Sequence, residues 1–190
     1  MANVDRPNGF RPIGSLSGGS MTGQVQKMIS NEALFLGDLV EDDATGRADG
    51  DGAYQACARA EASDAILGVV VGWEVDPDSP AALHHAASTT LGVYINTDPN
   101  VILECQSDDG TPVAADVGQN FDIVVASGST STGVSNMELD GSSGATTAAL
   151  PLKLLGFTDV SDNDTASANM KCIVMINNHL YKGHTGTAGI

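Results

Sequence analysis

The sequence predicts a mainly β fold: one barrel-like or sandwich-like domain with a short helix and an extended N-terminal arm. Short apolar runs recur along the 190 residues, and turn-forming residues separate them. The 22 glycines and several Asp-Gly pairs supply the backbone freedom that tight turns need. Hydrophobic residues make up 42% of the chain but aromatic ones only 4%, which predicts an aliphatic core. Many short strands with turn signals between them are typical of barrels and sandwiches.

Nine segments have the length and composition of strands. The run at residues 66–75 is apolar on both faces, so we expect it to be a central strand. Its two glycines, Gly68 and Gly72, are expected to mark a bulge or a close backbone approach. The nine predicted strands are residues 25–29, 34–40, 54–58, 66–75, 91–95, 101–106, 121–125, 150–157 and 172–177.

Helical signals are limited to residues 79–88, where Ser79 fits an N-cap and Pro80 the first helical position. We therefore predict one short helix there. Asp-Gly pairs at residues 49–50, 51–52, 109–110 and 140–141 predict turns.

Residues 1–23 form the predicted arm, and residues 24–190 the β-rich domain. Proline and glycine interrupt the arm too often for a helix or a long strand. The arm nevertheless carries Phe10, Ile13 and two of the eight basic residues, Arg6 and Arg11. This combination favours an extended segment that becomes ordered against a neighbour.

The charge is strongly acidic, with 24 acidic against 8 basic residues and a formal net charge of −16. Nucleic acids and anionic membranes are disfavoured as partners, because both attract clustered Lys and Arg. The first 16 residues lack the apolar core of a signal peptide, so we expect synthesis in a reducing cytoplasm. Cys57, Cys105 and Cys172 are scattered in apolar runs, which predicts buried free thiols.

The sequence motifs of common catalytic sites are absent, so we predict no catalytic residue, cofactor or metal. The chain has no G-x-S-x-G elbow, no Gly-Lys pair for a phosphate loop, and no local Cys or His spacing for zinc. Two acidic stretches, residues 159–164 and residues 41–43 with Asp49 and Asp51, are dense in calcium-type oxygen ligands. Neither follows the EF-hand pattern, so solvated loops with local turn bonds are the preferred interpretation.

Three stretches near the ends of the chain carry distinctive motifs. The first is N-V-D-R-P-N-G-F-R-P-I near the start, and the second is E-L-D-G-S-S running into L-P-L-K-L-L-G-F. The third is D-V-S-D-N-D followed by K-C-I-V-M-I-N-N-H near the end. In these motifs both ends of the chain resemble small head proteins of tailed bacteriophages, in particular the capsid decoration (cement) proteins. The resemblance is loosest between residues 76 and 135.

The resemblance implies a noncatalytic virion protein that binds the outer surface of an icosahedral capsid and stabilises it. Its implied partners are the major capsid protein and copies of itself, trimers being common among cement proteins. The expected location is the outer capsid surface of the virion, after synthesis in the host cytoplasm. We predict Arg6, Phe10, Arg11 and Ile13 as contacts with the capsid or a neighbouring copy, since apolar anchors supply area and Arg offers forked donors.

Three other functions stay open at the level of sequence. The chain fits another virion component, such as a major shell or head–tail joining protein. It also fits a carbohydrate- or calcium-binding β module, for which Trp73 and Tyr94 are the available stacking residues. An enzyme whose site is assembled only in space is the last alternative.

Overall fold

A computed structural model describes residues 2–18, 25–48, 53–89, 91–183 and 186–190. Two single 3₁₀ turns, Ala114–Asp116 and Leu180–Lys182, are the helical segments among these residues. The strands are Arg11–Ser15 (β1), Val25–Ile29 (β2), Leu39–Ala48 (β3), Ala53–Arg59 (β4), Gly68–Trp73 (β5), Gly92–Asn96 (β6), Val101–Gln106 (β7), Asn120–Phe121 (β8), Ile123–Val124 (β9), Glu138–Leu139 (β10), Leu152–Phe157 (β11) and Lys171–Ile176 (β12). The predicted mainly β fold is confirmed.

Five strands form an antiparallel sheet in the order β1-β7-β12-β11-β8. Strand β12 lies at its centre and alternates strictly, with Cys172, Val174 and Ile176 buried. Their neighbours in the chain point to the opposite face and are half-buried. This two-residue period gives the sheet an inner face and an outer face. A separate two-stranded ribbon joins β9 and β10.

Five other strands close into a barrel in the order β2-β4-β3-β5-β6. Neighbours in this order pair antiparallel, except that β2 meets β4 in parallel at Ile29 and Ala56. Both glycines of β5 behave as predicted. Gly68 lies against the neighbouring backbone, and the register shifts between Val70 and Gly72, which marks a bulge.

The apolar side chains form two cores. The interior of the barrel holds the smaller one, which includes Met28, Leu34 and Ile95. The larger core joins the inner face of the five-stranded sheet to outward-facing barrel residues such as Leu39 and Val69. Both are mainly aliphatic, as the composition predicts, and close packing of such side chains is the main stabilising term of the fold.

The predicted helix at residues 79–88 is wrong. These residues form consecutive turns, and His85 pairs with Leu34 through two backbone hydrogen bonds of 2.9 and 3.1 Å. The buried His85 ring also lies 3.0 Å from the Glu32 carbonyl oxygen. Tertiary contacts thus impose extended backbone on a segment whose local propensity favours a helix.

The structure describes residues 2–18 of the segment predicted as an arm. Residues 11–15 form β1, an edge strand of the five-stranded sheet, and Phe10 is fully buried in the larger core. The boundary at residue 23 and the Asp-Gly turns at residues 49–52 lie outside the described residues. None of the described helical segments is long and apolar enough to cross a membrane.

Candidate functional site

The N-terminal segment is tied to the body of the protein at several points. The Asn3 side-chain amide donates to the carbonyl oxygens of Asp164 and Ala168, both at 2.9 Å. The Arg6 backbone N–H donates to Oε1 of Gln106 at 3.1 Å, and the Phe10 N–H to the Gly37 carbonyl at 2.9 Å. Residues 3–10 are therefore held in place before β1 begins.

Phe10 acts as the apolar anchor of this segment. Its side chain is fully buried among core residues that include Leu39 and Leu103. A tight backbone contact precedes it, where Gly9 adopts a positive φ of 64°. A Cβ at Gly9 would lie 2.7 Å from the Gly37 carbonyl oxygen, so only glycine fits there. Phe10 thus holds the segment to its own domain and is not presented at the surface.

The other three predicted contact residues are exposed. Arg6 and Arg11 are solvent-accessible, and Ile13 is 41% exposed. The Arg11 guanidinium pairs with the Glu104 carboxylate on the adjacent strand β7, directly opposite in the register. Thr158 donates a further hydrogen bond of 3.0 Å to the second Glu104 oxygen. The Arg11 side chain is therefore oriented along the sheet.

An open groove of about 1620 Å³ runs beside this segment. The barrel strands line it with Val25 and Val70, the segment before β3 with Leu36, and the five-stranded sheet with Gln106 and Lys171. Small-molecule pockets usually measure about 300–1000 Å³ and bury most of their ligand. The size and openness of the groove suit a polypeptide segment better than a small substrate.

Two carboxyl groups with raised pKa values lie in acidic clusters outside this groove. Burial raises the pKa of Glu138 to about 7, and three nearby carboxylates, Asp5, Asp108 and Asp109, add to the shift. Burial is also the main cause of the raised pKa of Glu41, and the hydrogen bond between Glu41 and Asp64 is the second cause. Close like charges make one carboxyl hold its proton. Both clusters therefore hold protons near neutral pH.

The predicted calcium-type loop at residues 159–164 uses its oxygen atoms in local bonds. The Asp164 carboxylate accepts from Ala166 N and Ser167 Oγ, both at 3.1 Å. The Asn163 amide bonds the backbone of Thr158 and Lys171. Asp162 forms an ion pair with Lys171 at 2.7 Å. These contacts match the preferred interpretation of a turn-bonded loop.

The second acidic stretch is described only in part, because Asp49 and Asp51 lie outside the described residues. The Asp42 carboxylate accepts a hydrogen bond of 2.6 Å from the Gln55 amide. Across the described part of the chain, no group of three or more His, Cys, Asp or Glu side chains is arranged to hold a metal ion.

The described cysteines and histidines make contacts that belong to the packing of the fold. All three cysteines are free and buried, as predicted, and burial raises the pKa of Cys57 to about 12. The His84 ring stacks on Phe35 with 5.0 Å between centroids. Nδ1 of His179 accepts from the Tyr181 N–H, and burial lowers the pKa of His179 to about 4. His184 lies outside the described residues.

The two aromatic residues proposed for carbohydrate binding differ in how exposed they are. Trp73 packs against the barrel core, whereas Tyr94 is partly exposed. Binding modules for sugars rely on exposed ring faces, and part of the Trp73 side chain is covered by its contact with the core.

Comparison with known proteins gives no match: no protein-family model, no curated protein and no solved structure is detectably similar to the chain.

Sequence reasoning missed the residues that receive the N-terminal segment. Glu104 and Gln106 bind Arg11 and the Arg6 backbone, and both lie on a strand whose bounds were predicted. The available signal was that Glu104 and Gln106 alternate with the apolar Leu103 and Cys105, since this alternation marks the face away from the core. Which partner they meet depends on the sheet order, which periodicity does not encode.

Proposed function

We propose that this chain is a virion structural protein that binds the outer surface of an icosahedral phage capsid and stabilises it. One observation carries the proposal. The N-terminal segment, which bears part of the resemblance to phage head proteins, exposes Arg6, Arg11 and Ile13 beside one sheet of an all-β body. A rigid β body that presents basic and apolar groups in an acidic molecule suits attachment to a larger protein surface.

The charge supports the same function. A net charge of −16 keeps free copies apart in solution, because like-charged surfaces repel. A protein added in many copies to a finished shell must stay monomeric or form small oligomers at high concentration. The few basic residues then become the groups that select an acidic partner surface.

The test is addition of the purified chain to phage heads that lack it, followed by sedimentation and electron microscopy. We expect binding at a fixed number of copies per head and a higher temperature of head disruption. The double variant R6A/R11A should bind about tenfold more weakly, which corresponds to roughly 1.4 kcal/mol. The matched control is K182A, which removes an exposed cation elsewhere.

Two results would contradict the proposal. Absence of binding to heads would exclude capsid decoration. Assembly of shells by this chain alone would instead favour a major shell protein.

A further inference from the structure

The outer face of the five-stranded sheet is unusually apolar for a surface that faces solvent. Antiparallel sheets of this kind normally place polar residues on the face away from the core. Here the central strands place Ile102, Ile173 and Met175 there, each half-buried. The register joins them into one patch, since Met175 lies opposite Ile102 and next to Ile173 in the same outward-facing row.

Two bulges extend this patch. The register of β1 against β7 shifts between Pro12 and Gly14, so Ile13 is an additional residue on the bulged strand. The register of β11 against β12 shifts in the same way between Leu154 and Gly156, which adds Leu155. Bulges insert one residue and redirect its side chain. Ile13 is 41% exposed and Leu155 is half-buried, in contrast to the fully buried Leu154.

Cations surround the patch. On this face Arg11 lies in the same cross-strand row as Ile173, with Glu104 between them, and Lys171 lies one row away on β12. Lys153 lies opposite Met175. The Lys153 ammonium is fixed by the carbonyl oxygens of Gly118 and Ala188, at 3.2 and 3.1 Å. Arg6 lies at the end of the same face, where its backbone meets Gln106.

The charge balance of this face is therefore opposite to that of the whole molecule. Half of the chain's eight basic residues lie on it or at its end. The carboxylates that pair with them are Glu104 and Asp162, two of 24 acidic residues.

We propose that this outer face is the docking surface of the protein, and that its partner is a shell surface with an apolar centre and a rim of carboxylates. This assignment rests on the proposed function. Large apolar patches ringed by polar groups mark protein contacts. Central apolar residues supply most of the affinity, and the rim cations set orientation and partner choice.

A second copy of this chain fits the face less well. A two-fold contact places the same patch against itself, so the excess of cations over carboxylates on one copy meets the same excess on the other. Like charges brought together across an interface cost binding energy and select against that partner. A different protein with a rim of carboxylates meets no such repulsion, and its carboxylates add to the contacts that Arg11, Lys153 and Lys171 already make within the chain.

The test measures binding of purified variants to phage heads that lack this chain. M175E places a carboxylate at the centre of the patch, and we expect it to weaken binding at least tenfold. I173T removes apolar area while it keeps the β-branched shape, and it should weaken binding by about threefold to tenfold. The matched control is V75E, at a position that is 66% exposed in the segment after β5, and it should stay within twofold of the parent chain.

The possible outcomes test the docking surface and the proposed function separately. Melting curves first establish that each variant is folded. Binding of the parent chain together with equal binding of M175E and I173T would overturn the docking surface and leave the proposed function standing. Failure of the parent chain to bind heads would overturn both. Concentration-dependent self-association of the parent chain that M175E abolishes would replace the shell with a second copy as the occupant.

Discussion

Gly68 of β5 lies in close contact with the backbone of the neighbouring barrel strand β6. A Cβ at this position would lie 2.3 Å from the Asn96 carbonyl oxygen, which is backbone and cannot move aside like a side chain. Gly156, in the bulge of β11, is the opposite case, because a Cβ there meets nothing within 4 Å. Packing therefore requires glycine at position 68 but not at position 156.

This difference gives a prediction with an internal control. G68A should destabilise the protein by about 2–3 kcal/mol, because the added methyl group forces β5 and β6 apart. G156A should change the free energy of unfolding by less than about 0.5 kcal/mol. Chemical denaturation of the two variants and the parent chain measures both values. Equal stability of G68A and G156A would show that the barrel relaxes at this contact.

Sequence periodicity located the strands where an alternating apolar run ends in turn residues. Both bounds of β2 and β7 were predicted to the residue. Sequence periodicity did not locate strands whose conformation depends on a pairing partner, such as the two-residue strand β10, which is fixed by its pairing with β9. The helix prediction at residues 79–88 was wrong for the same reason, because His85 pairs with Leu34 in a β-bridge. The local pattern of apolar residues predicts that a strand forms, but which strands it pairs with is decided only when the sheet assembles.

The candidate surface was predictable to a similar extent. The exposed cations of the N-terminal segment follow from composition, because charged side chains rarely become buried. The burial of Phe10 and the apolar outer face do not, since both depend on which side of the sheet each residue occupies. Ile173 and Met175 are apolar residues of a predicted strand, and the register places them on the outer face of the sheet.

The first strand and its anchor give a prediction about the N-terminal segment. F10A should destabilise the protein by about 3–5 kcal/mol, because it leaves a cavity in the larger core. The matched control V4A truncates a side chain that is 75% exposed and should have little effect. Thermal melting would register the loss as a fall of roughly 10 °C. An unchanged melting temperature of F10A would instead indicate that the segment is an arm that does not contribute to the stability of the domain.

At the scale of the whole molecule, charge is separated by location. Half of the basic residues lie on the outer face of the five-stranded sheet or at its end, whereas Glu41 and Glu138 lie in acidic clusters. If this face is the docking surface proposed above, the distribution of charge orients the protein toward an acidic partner. It also places like charges close together within the folded state, which makes the stability of the whole molecule depend on pH.

The sign of that dependence follows from the raised carboxyl pKa values. The pKa of Glu138 is about 7 in the folded protein, against an ordinary value of 4.5, so the folded state holds a proton that the unfolded state has lost. Stability contributed by this group is complete below pH 4.5 and is lost as the pH rises to about 7. Glu41 acts in the same direction. His179, whose pKa burial lowers to about 4, acts in the opposite direction below pH 6.5.

Replacing Glu138 by Gln isolates one of these groups, because the dependence due to His179 is present in both proteins and cancels in the difference. Gln resembles the protonated acid, so E138Q should gain stability over the parent chain as the pH rises from about 4.5. The gain should level off above about pH 8, where the carboxyl is ionised in both states. Denaturation curves at pH 5, 6, 7 and 8 measure the gap. Parallel stability profiles of the two proteins would mean that the Glu138 carboxyl is already ionised at pH 5, and that the cluster around it is more open to water than its burial implies.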